Sequence, residues 1–352
     1  MNIAHNTITE QHTIKDAILG LNDALTKHGI STLFVINSES ELVGTITDGD
    51  IRRALVAGSQ LDTDISGVMH RNFSFLREHK FTLSDIDSIR DRKIDIVPVL
   101  DENNRIVRVV EFKKLKSVLP LTAVLIAGGE GRRLLPLTLT TPKPLLKIGN
   151  KPIIEHNIDR LVQHGVATIH ISVNYLAQQI KDYFQDGASK GIRIGYVQES
   201  KPLGTIGSVS LLEEIDTDYV LISNSDLLTN INYEDMFRTF IDRDADLIVA
   251  TNPYKVNIPY GILEVDSEDH IKGLIEKPTY EYYSNAGIYI LKKSILELLP
   301  KNEYFNATDL IELLLRQNYK VLHYKILTYW LDIGLMDDYH KAQEDIKHIS
   351  LY

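Results

Sequence analysis

Residues 124–146 read VLIAGGEGRRLLPLTLTTPKPLL. An apolar run stops at Gly128 and Gly129. Gly131 follows, then Arg132 and Arg133, and Lys143 stands between Pro142 and Pro144. Glycine reaches backbone angles closed to other residues and lets amides approach a ligand closely. A glycine-rich turn directly after a strand is a ready phosphate cradle. This one is not a P-loop, because no Gly-Lys-Ser/Thr closes it, and its spacing is not GxGxxG. Alone, the pattern also suits a tight turn in a proline-rich surface loop. The downstream cations sharpen it: Arg133 and Lys143 carry fixed charge, and Pro136, Pro142 and Pro144 stiffen the backbone around them. Gly128, Gly129, Gly131, Arg133 and Lys143 are therefore expected to hold an anion.

Outward from this turn, apolar strands at 122–128, 168–174, 192–198, 219–226 and 246–252 alternate with helical stretches at 152–165, 176–187 and 205–215. Near-continuous apolar strands alternating with helices predict a mostly parallel α/β sheet covered on both faces. Ligands bind such sheets at the carboxyl ends of the strands, where the glycine turn lies.

Before residue 122 the pattern differs. Residues 31–55 read as strand, polar turn, strand, helix, and residues 95–115 repeat that order at a spacing of about 64 residues. A helix precedes each copy: 13–29, with Thr13 as N-cap and Gly29 as stop, and 82–93. This is one duplicated α+β unit, joined by a short connector at 116–121, so two domains are expected, 1–118 and 119–352.

The 352 residues suffice for two or three domains. No run of about 18 apolar residues occurs, so no membrane-spanning helix is expected. The N-terminus lacks the basic start and apolar core of an export signal. With no cysteine, disulfides and thiolate chemistry are excluded, which fits a cytoplasmic setting. A formal charge of -10 argues against a general nucleic-acid binder. None of the twelve histidines falls in an HExxH or a close His/Asp cluster, so no transition-metal site is assigned.

The opening stretch resembles the GGxGTRLxPLTxxxPKPL signature of sugar-1-phosphate nucleotidylyltransferases, with Arg132 where that family usually has threonine or serine. The resemblance continues through 198-QESKPLGTIGS-208, 223-SNSD-226, 260-YGILEVD-266, 276-EKP-278, 285-NAGIYI-290 and 330-WLDIG-334. It implies a Rossmann-like, mixed but mostly parallel nucleotidyltransferase domain. It also implies contacts to the nucleotide from Gln198, Glu199, Gly204 and Thr205, and to the sugar phosphate from Tyr260, Gly261, Glu276, Lys277, Asn285 and Gly287. Asp226 and Asp332 would hold Mg²⁺, Arg133 the triphosphate, and Lys143 the α-phosphate. The implied reaction joins a nucleoside triphosphate, GTP in the first instance, to a sugar 1-phosphate for surface-glycan precursors. A dTTP- or UTP-dependent enzyme and a non-catalytic nucleotide-sugar sensor are the alternatives.

The front unit resembles a pair of CBS-type regulatory modules. In that family the positions of Thr47 and Asp50 contact the ribose of an adenine or guanine nucleotide effector. The second copy has Glu111 and Lys114 there. A structural or dimerising module without ligand is the other reading. The resemblance implies a homo-oligomer with no nucleic-acid or membrane partner.

Overall fold

The structure, a computed structural model, describes residues 6–213 and 215–351. The first residues of the N-terminal stretch and Glu214 of the stretch 205–215 lie outside them. The chain divides into two compact units, one ending at Pro120 and one beginning at Leu121, two residues beyond the expected boundary. Among the described residues no helix is long and apolar enough to cross a membrane.

The first unit contains two copies of one motif. The first copy comprises β1 (Thr7–Thr9), α1 (Ile14–His28), β2 (Thr32–Ile36), β3 (Leu42–Thr47) and α2 (Asp48–Val56). The second comprises β4 (Leu76–Arg77), α3 (Leu83–Asp91), β5 (Ile96–Leu100) and β6 (Ile106–Glu111). In each, the first strand pairs parallel with the second, and the third antiparallel to it. α1 starts at a Thr13–Asp16 capping box and stops at Gly29, whose φ of 70° is left-handed. It buries Ile14, Ala17, Leu21 and Ala24, the three-and-four spacing of one helix face.

α2 opens on the same device, with Thr47 and Asp50 as the box. The helix start expected after β6 does not form: residues 112–114 make a turn. The cause is local. Glu111 and Lys114 occupy the positions of Thr47 and Asp50 and form an ion pair at 2.7 Å, so no hydroxyl caps a first turn.

The second unit begins with β7 (Leu121–Ala127), a short β8–β9 hairpin (Lys147–Ile148, Lys151–Pro152), α4 (Ile153–Gln163), β10 (Thr168–Val173), α5 (Ala177–Phe184) and β11 (Arg193–Gln198). It continues through β12 (Tyr219–Asn224), β13 (Leu227–Thr229), α6 (Tyr233–Asp242), β14 (Leu247–Asn257), β15 (Ile262–Val265), β16 (Ile271–Ile275) and β17 (Thr279–Lys292). It ends with α7 (Ala307–Arg316), β18 (Val321–Lys325), β19 (Trp330–Asp332) and α8 (Met336–Asp345).

The central sheet has seven strands in the order β11-β10-β7-β12-β17-β14-β18. β17 runs antiparallel to β12 and β14, and every other pairing is parallel. β7 and β12 are buried along most of their length, as strands covered on both faces must be. α7 covers one face through Ala307, Leu310 and Leu314. A second cluster joins Leu134, Leu146, Ile153, Leu228, Leu331, Ile333 and Ala342, and it anchors the segments that carry the site.

Two segments depart from expectation. Among the described residues of the stretch 205–215, only a 3-10 turn forms, at Gly207–Leu211. Gly207 packs so closely that a Cβ would meet the Glu303 carbonyl at 2.5 Å, and Gly and Ser are weak helix formers. Beyond the sheet, β14 and β17 continue as a two-stranded ribbon (Thr251 opposite Asn285 to Asn257 opposite Thr279), followed by the β15–β16 hairpin.

Candidate nucleotide and metal site

The glycine turn leaves the carboxyl end of β7. Gly131 has a φ of +64°, and a Cβ there would lie 2.9 Å from Lys143 Cβ and 3.0 Å from Thr138 Cγ2. Glycine is needed at this position because the Lys143 stem runs through the space a side chain would take. Thr138 Oγ1 donates to the Gly131 carbonyl at 3.0 Å and fixes the turn from below. Gly129 differs: no atom lies within 4 Å of a Cβ built on it. Its face is open to a ligand.

Lys143 reaches Asp226 and donates to its Oδ2. Asp226 follows β12, and Ser225 ties this strand end back to β7 by donating from Oγ to the Ile126 carbonyl at 2.6 Å. A glycine there would have no hydroxyl for this bond. β13 and β19 pair antiparallel with Leu227 opposite Asp332, and the Ile333 amide donates to the Asp226 carbonyl at 3.1 Å. This short ladder brings together two carboxylates about 100 residues apart in the chain.

Asp226 Oδ1 is buried and has no hydrogen-bond partner among the described residues. Burial, then the neighbouring Asp226 charge, pushes Asp332 up to about 6, with Lys143 and Arg133 acting the other way. Among the described residues no group of three or more His, Asp or Glu side chains forms a metal cage. Two carboxylates with an unsatisfied buried oxygen suit a hard cation that keeps water and takes phosphate oxygens as its other ligands.

Arg133 is exposed and makes no hydrogen bond or salt bridge with the described residues, so its guanidinium is available to an anion. Arg132 is held by Glu130 at 2.5 Å, so the long cation at the family's usual threonine position is neutralised by its neighbour.

A cavity of about 450 Å³ is lined by Gly128, Gly129, Gly131, Asn174, Glu199 and Gly204 among others. Glu199 is only 6 % exposed. Its Oε1 accepts from Ser172 Oγ at 2.6 Å and its Oε2 from the Leu203 amide at 3.3 Å. A Cβ on Gly128 would fall 2.7 Å from Glu199 Oε1.

Gln198 does not line this cavity. At the end of edge strand β11 its side chain is exposed and accepts from Lys181 Nζ at 3.0 Å. Thr205 does not line it either. Its hydroxyl accepts from the Ala307 amide at 2.8 Å and caps the start of α7. Gly204 does line it, with a φ of +79° and its α-carbon against the Phe305 carbonyl.

The expected sugar-phosphate residues fall into two groups. Gly287 lies beside Asn224 at the end of β12, where a Cβ would be 2.6 Å from Asn224 Nδ2. Asn285 Oδ1 accepts from the Gly287 amide and the Tyr289 hydroxyl, both at 3.0 Å. Tyr260, Gly261, Glu276 and Lys277 lie further out, where the ribbon meets its hairpin. Tyr260, Glu276 and Lys277 are exposed, and Lys277 Nζ is 3.9 Å from Glu276. Gly261 leaves room for Glu276, whose Oε2 would lie 2.9 Å from an added Cβ.

Sequence reasoning missed Ser172 and Asn174. Their signal was available: both sit at the carboxyl end of a strand next to the glycine-bearing one. In the first unit, Asp50 Oδ2 accepts from the Thr47 amide at 2.9 Å and hydroxyl at 2.6 Å, and Oδ1 from Arg53 at 2.5 Å. The two expected ribose contacts are thus engaged with each other at the α2 N-terminus.

Two family profiles match the sequence: "Nucleotidyl transferase" over residues 122–349 and "CBS domain" over residues 4–57. The chain belongs to the nucleotidyl transferase family and carries a CBS domain in front. It is 30 % identical over 224 residues to the mannose-1-phosphate guanylyltransferase catalytic subunit beta of Drosophila pseudoobscura pseudoobscura, covering 62 % of this chain and 60 % of that protein. It is 28 % identical over 255 residues to the UTP–glucose-1-phosphate uridylyltransferase of Synechocystis, with 66 % of each covered. The chain thus spans three fifths to just under two thirds of the length of these curated relatives. Among solved structures, HddC from Yersinia pseudotuberculosis is 27 % identical with a TM-score of 0.51, covering 64 % of this chain and 99 % of that one.

Proposed function

We propose that the second unit transfers a nucleoside monophosphate, in the first instance from GTP, to a sugar 1-phosphate. A sugar-phosphate oxygen bonds to the α-phosphorus, the bond from that phosphorus to the bridging oxygen breaks, and pyrophosphate leaves. The observation that carries this reading is the Asp226–Asp332 pair beside Lys143 and the open glycine turn. Guanylyl and uridylyl transfer in the names of similar proteins supports it.

Asp226 and Asp332 would hold Mg²⁺, which offsets phosphate charge when bound. The chain's own part is positioning and charge. Amides of the glycine turn cradle the triphosphate. Arg133 neutralises the departing pyrophosphate. Lys143, already fixed at the acid pair, faces the α-phosphate. Asn285 and Gly287 border the acceptor side, and the ribbon carrying Tyr260, Gly261, Glu276 and Lys277 supplies its outer contacts. In the first unit, Asp50 is taken up by Thr47 and Arg53, which favours a capped structural module over an open ribose site.

Pyrophosphate release with Mg²⁺, over four nucleoside triphosphates and several sugar 1-phosphates, tests the reading. Release with GTP and one sugar phosphate is expected, and release only with UTP or dTTP keeps the mechanism but changes the donor. Asp226→Asn should cut turnover at least about a hundredfold with the fold intact. Retained turnover sinks the metal assignment, and no release with any pair moves the protein to the sensor class.

A further inference from the structure

Arg132 stands where the resembled family usually has threonine or serine, and it lines the cavity at the glycine turn. Of the described residues lining that cavity, it alone carries positive charge, against the two carboxylates of Glu130 and Glu199. Glu199 is buried and holds the Ser172 hydroxyl and the Leu203 amide. Glu130 is paired with Arg132 itself. So paired, the cavity has no free cation, although the amides of a glycine turn suit an anion. Arg133 does not supply one: it does not line the cavity, and its charge bears on Asp332.

The pairing is built to give way. Only Gly131 separates the two residues, and the side chains of Glu130 and Arg132 are 50 % and 80 % exposed. Water screens such a pair, which is worth at most about fivefold in an equilibrium constant. The contact runs through Arg132 Nε alone. A guanidinium carries a planar fork of N–H donors, and both of its terminal amino groups lack a partner among the described residues. That fork is the part of arginine that grips two phosphate oxygens at once. One charge-assisted hydrogen bond is worth about tenfold to a hundredfold, more than Glu130 can hold back.

On the nucleotidyl-transfer reading above, we infer that Arg132 is a second clamp on the triphosphate, held in reserve by Glu130. An arriving polyphosphate displaces the Glu130 carboxylate from the guanidinium, and the carboxylate turns to water. On that reading the α-phosphate belongs to Lys143 at the acid pair. The guanidinium on the turn therefore meets the phosphates beyond it, the two that leave as pyrophosphate. Glu130 is a competitor for the clamp and not a support for the turn.

Calorimetry on the full chain with Mg²⁺ tests this, with pyrophosphate and GMP as separate probes. Arg132→Thr should weaken pyrophosphate binding about tenfold to a hundredfold and leave GMP within about twofold. Arg132→Lys should recover only part of the loss, since an ammonium keeps the charge without the fork. Glu130→Gln should tighten pyrophosphate by up to about fivefold, because the competing charge is gone. A wild type that binds no pyrophosphate overturns the inference. So does an Arg132→Thr protein in which both probes weaken equally, GMP alone weakens or neither changes. Pyrophosphate binding that Glu130→Gln leaves unchanged or weakens overturns it as well, and that variant decides the matter even where Arg132→Thr does not fold. Turnover is read separately. Pyrophosphate held through Arg132 with no reaction of any nucleotide and sugar phosphate defeats the transfer reading and leaves the clamp. Turnover with pyrophosphate binding indifferent to Arg132 does the reverse.

Discussion

Gly131→Ala is the sharpest test of how the site is built. The backbone there is left-handed, with a φ of +64°, and the new methyl would sit 2.9 Å from Lys143 Cβ and 3.0 Å from Thr138 Cγ2. A left-handed alanine costs about 1–2 kcal/mol, and forcing a methyl into a filled space adds about 1–3. The expected loss is about 2–5 kcal/mol for the second unit, a fall of about 4–20 °C in its melting temperature at that domain size. The yielding group is the Lys143 stem, so the ammonium shifts off Asp226. A displacement of about 1 Å in a positioning group can cost a hundredfold in rate, and pyrophosphate release should drop by about that much. Gly129→Ala is the control: its methyl meets nothing within 4 Å, so stability should change by less than about 0.5 kcal/mol. Thermal melts and turnover of both variants decide the matter. A Gly131→Ala protein as stable and active as the parent would show that Lys143 does not depend on this gap.

Thr47→Ala removes one half of the α2 capping box, worth about 1 kcal/mol, so amide exchange in Asp48–Val56 should quicken about fivefold. Unchanged exchange would mean that the box does not hold the helix start. Asp246 is pushed up by burial, but bonds from the Lys320 amide and the Lys292 ammonium outweigh this and hold its pKa below the usual 3.8. A depressed acid stabilises the fold above its unfolded pKa and loses that contribution as pH falls through the folded one. Urea denaturation should therefore show Asp246→Asn weaker than the parent at pH 7, with the gap closing as pH falls below about 4. A constant gap would show that the charge is not involved.

The parts of the site legible in the sequence depend on neighbours in the chain. Gly128, Gly129 and Gly131 follow an apolar strand, and the strand-end position of Asp226 is visible from the run before it. The α1 boundaries are equally local, because Thr13 and Gly29 carry the start and stop chemistry themselves. What sequence could not separate was Gln198 from Glu199. Adjacent residues at a strand end face opposite ways, and only the fold shows which side holds the cavity. Thr205 was unreadable for another reason: the amide it caps belongs to Ala307, about 100 residues later. The missing helix after β6 was readable in hindsight, since Glu111 and Lys114 cannot make the box that Thr47 and Asp50 make.

Beside the ladder between β13 and β19, the Thr229 hydroxyl donates to the carbonyl of Tyr329, 100 residues further along the chain. Synthesis runs from the N-terminus, so the glycine turn, Lys143 and Asp226 emerge long before Asp332 does. A growing or truncated chain that stops short of Trp330 has a phosphate cradle but only one of the two acids. The order of the segments sets the order of assembly: the pair of carboxylates exists only once Asp332 has been made and β19 has paired back on β13.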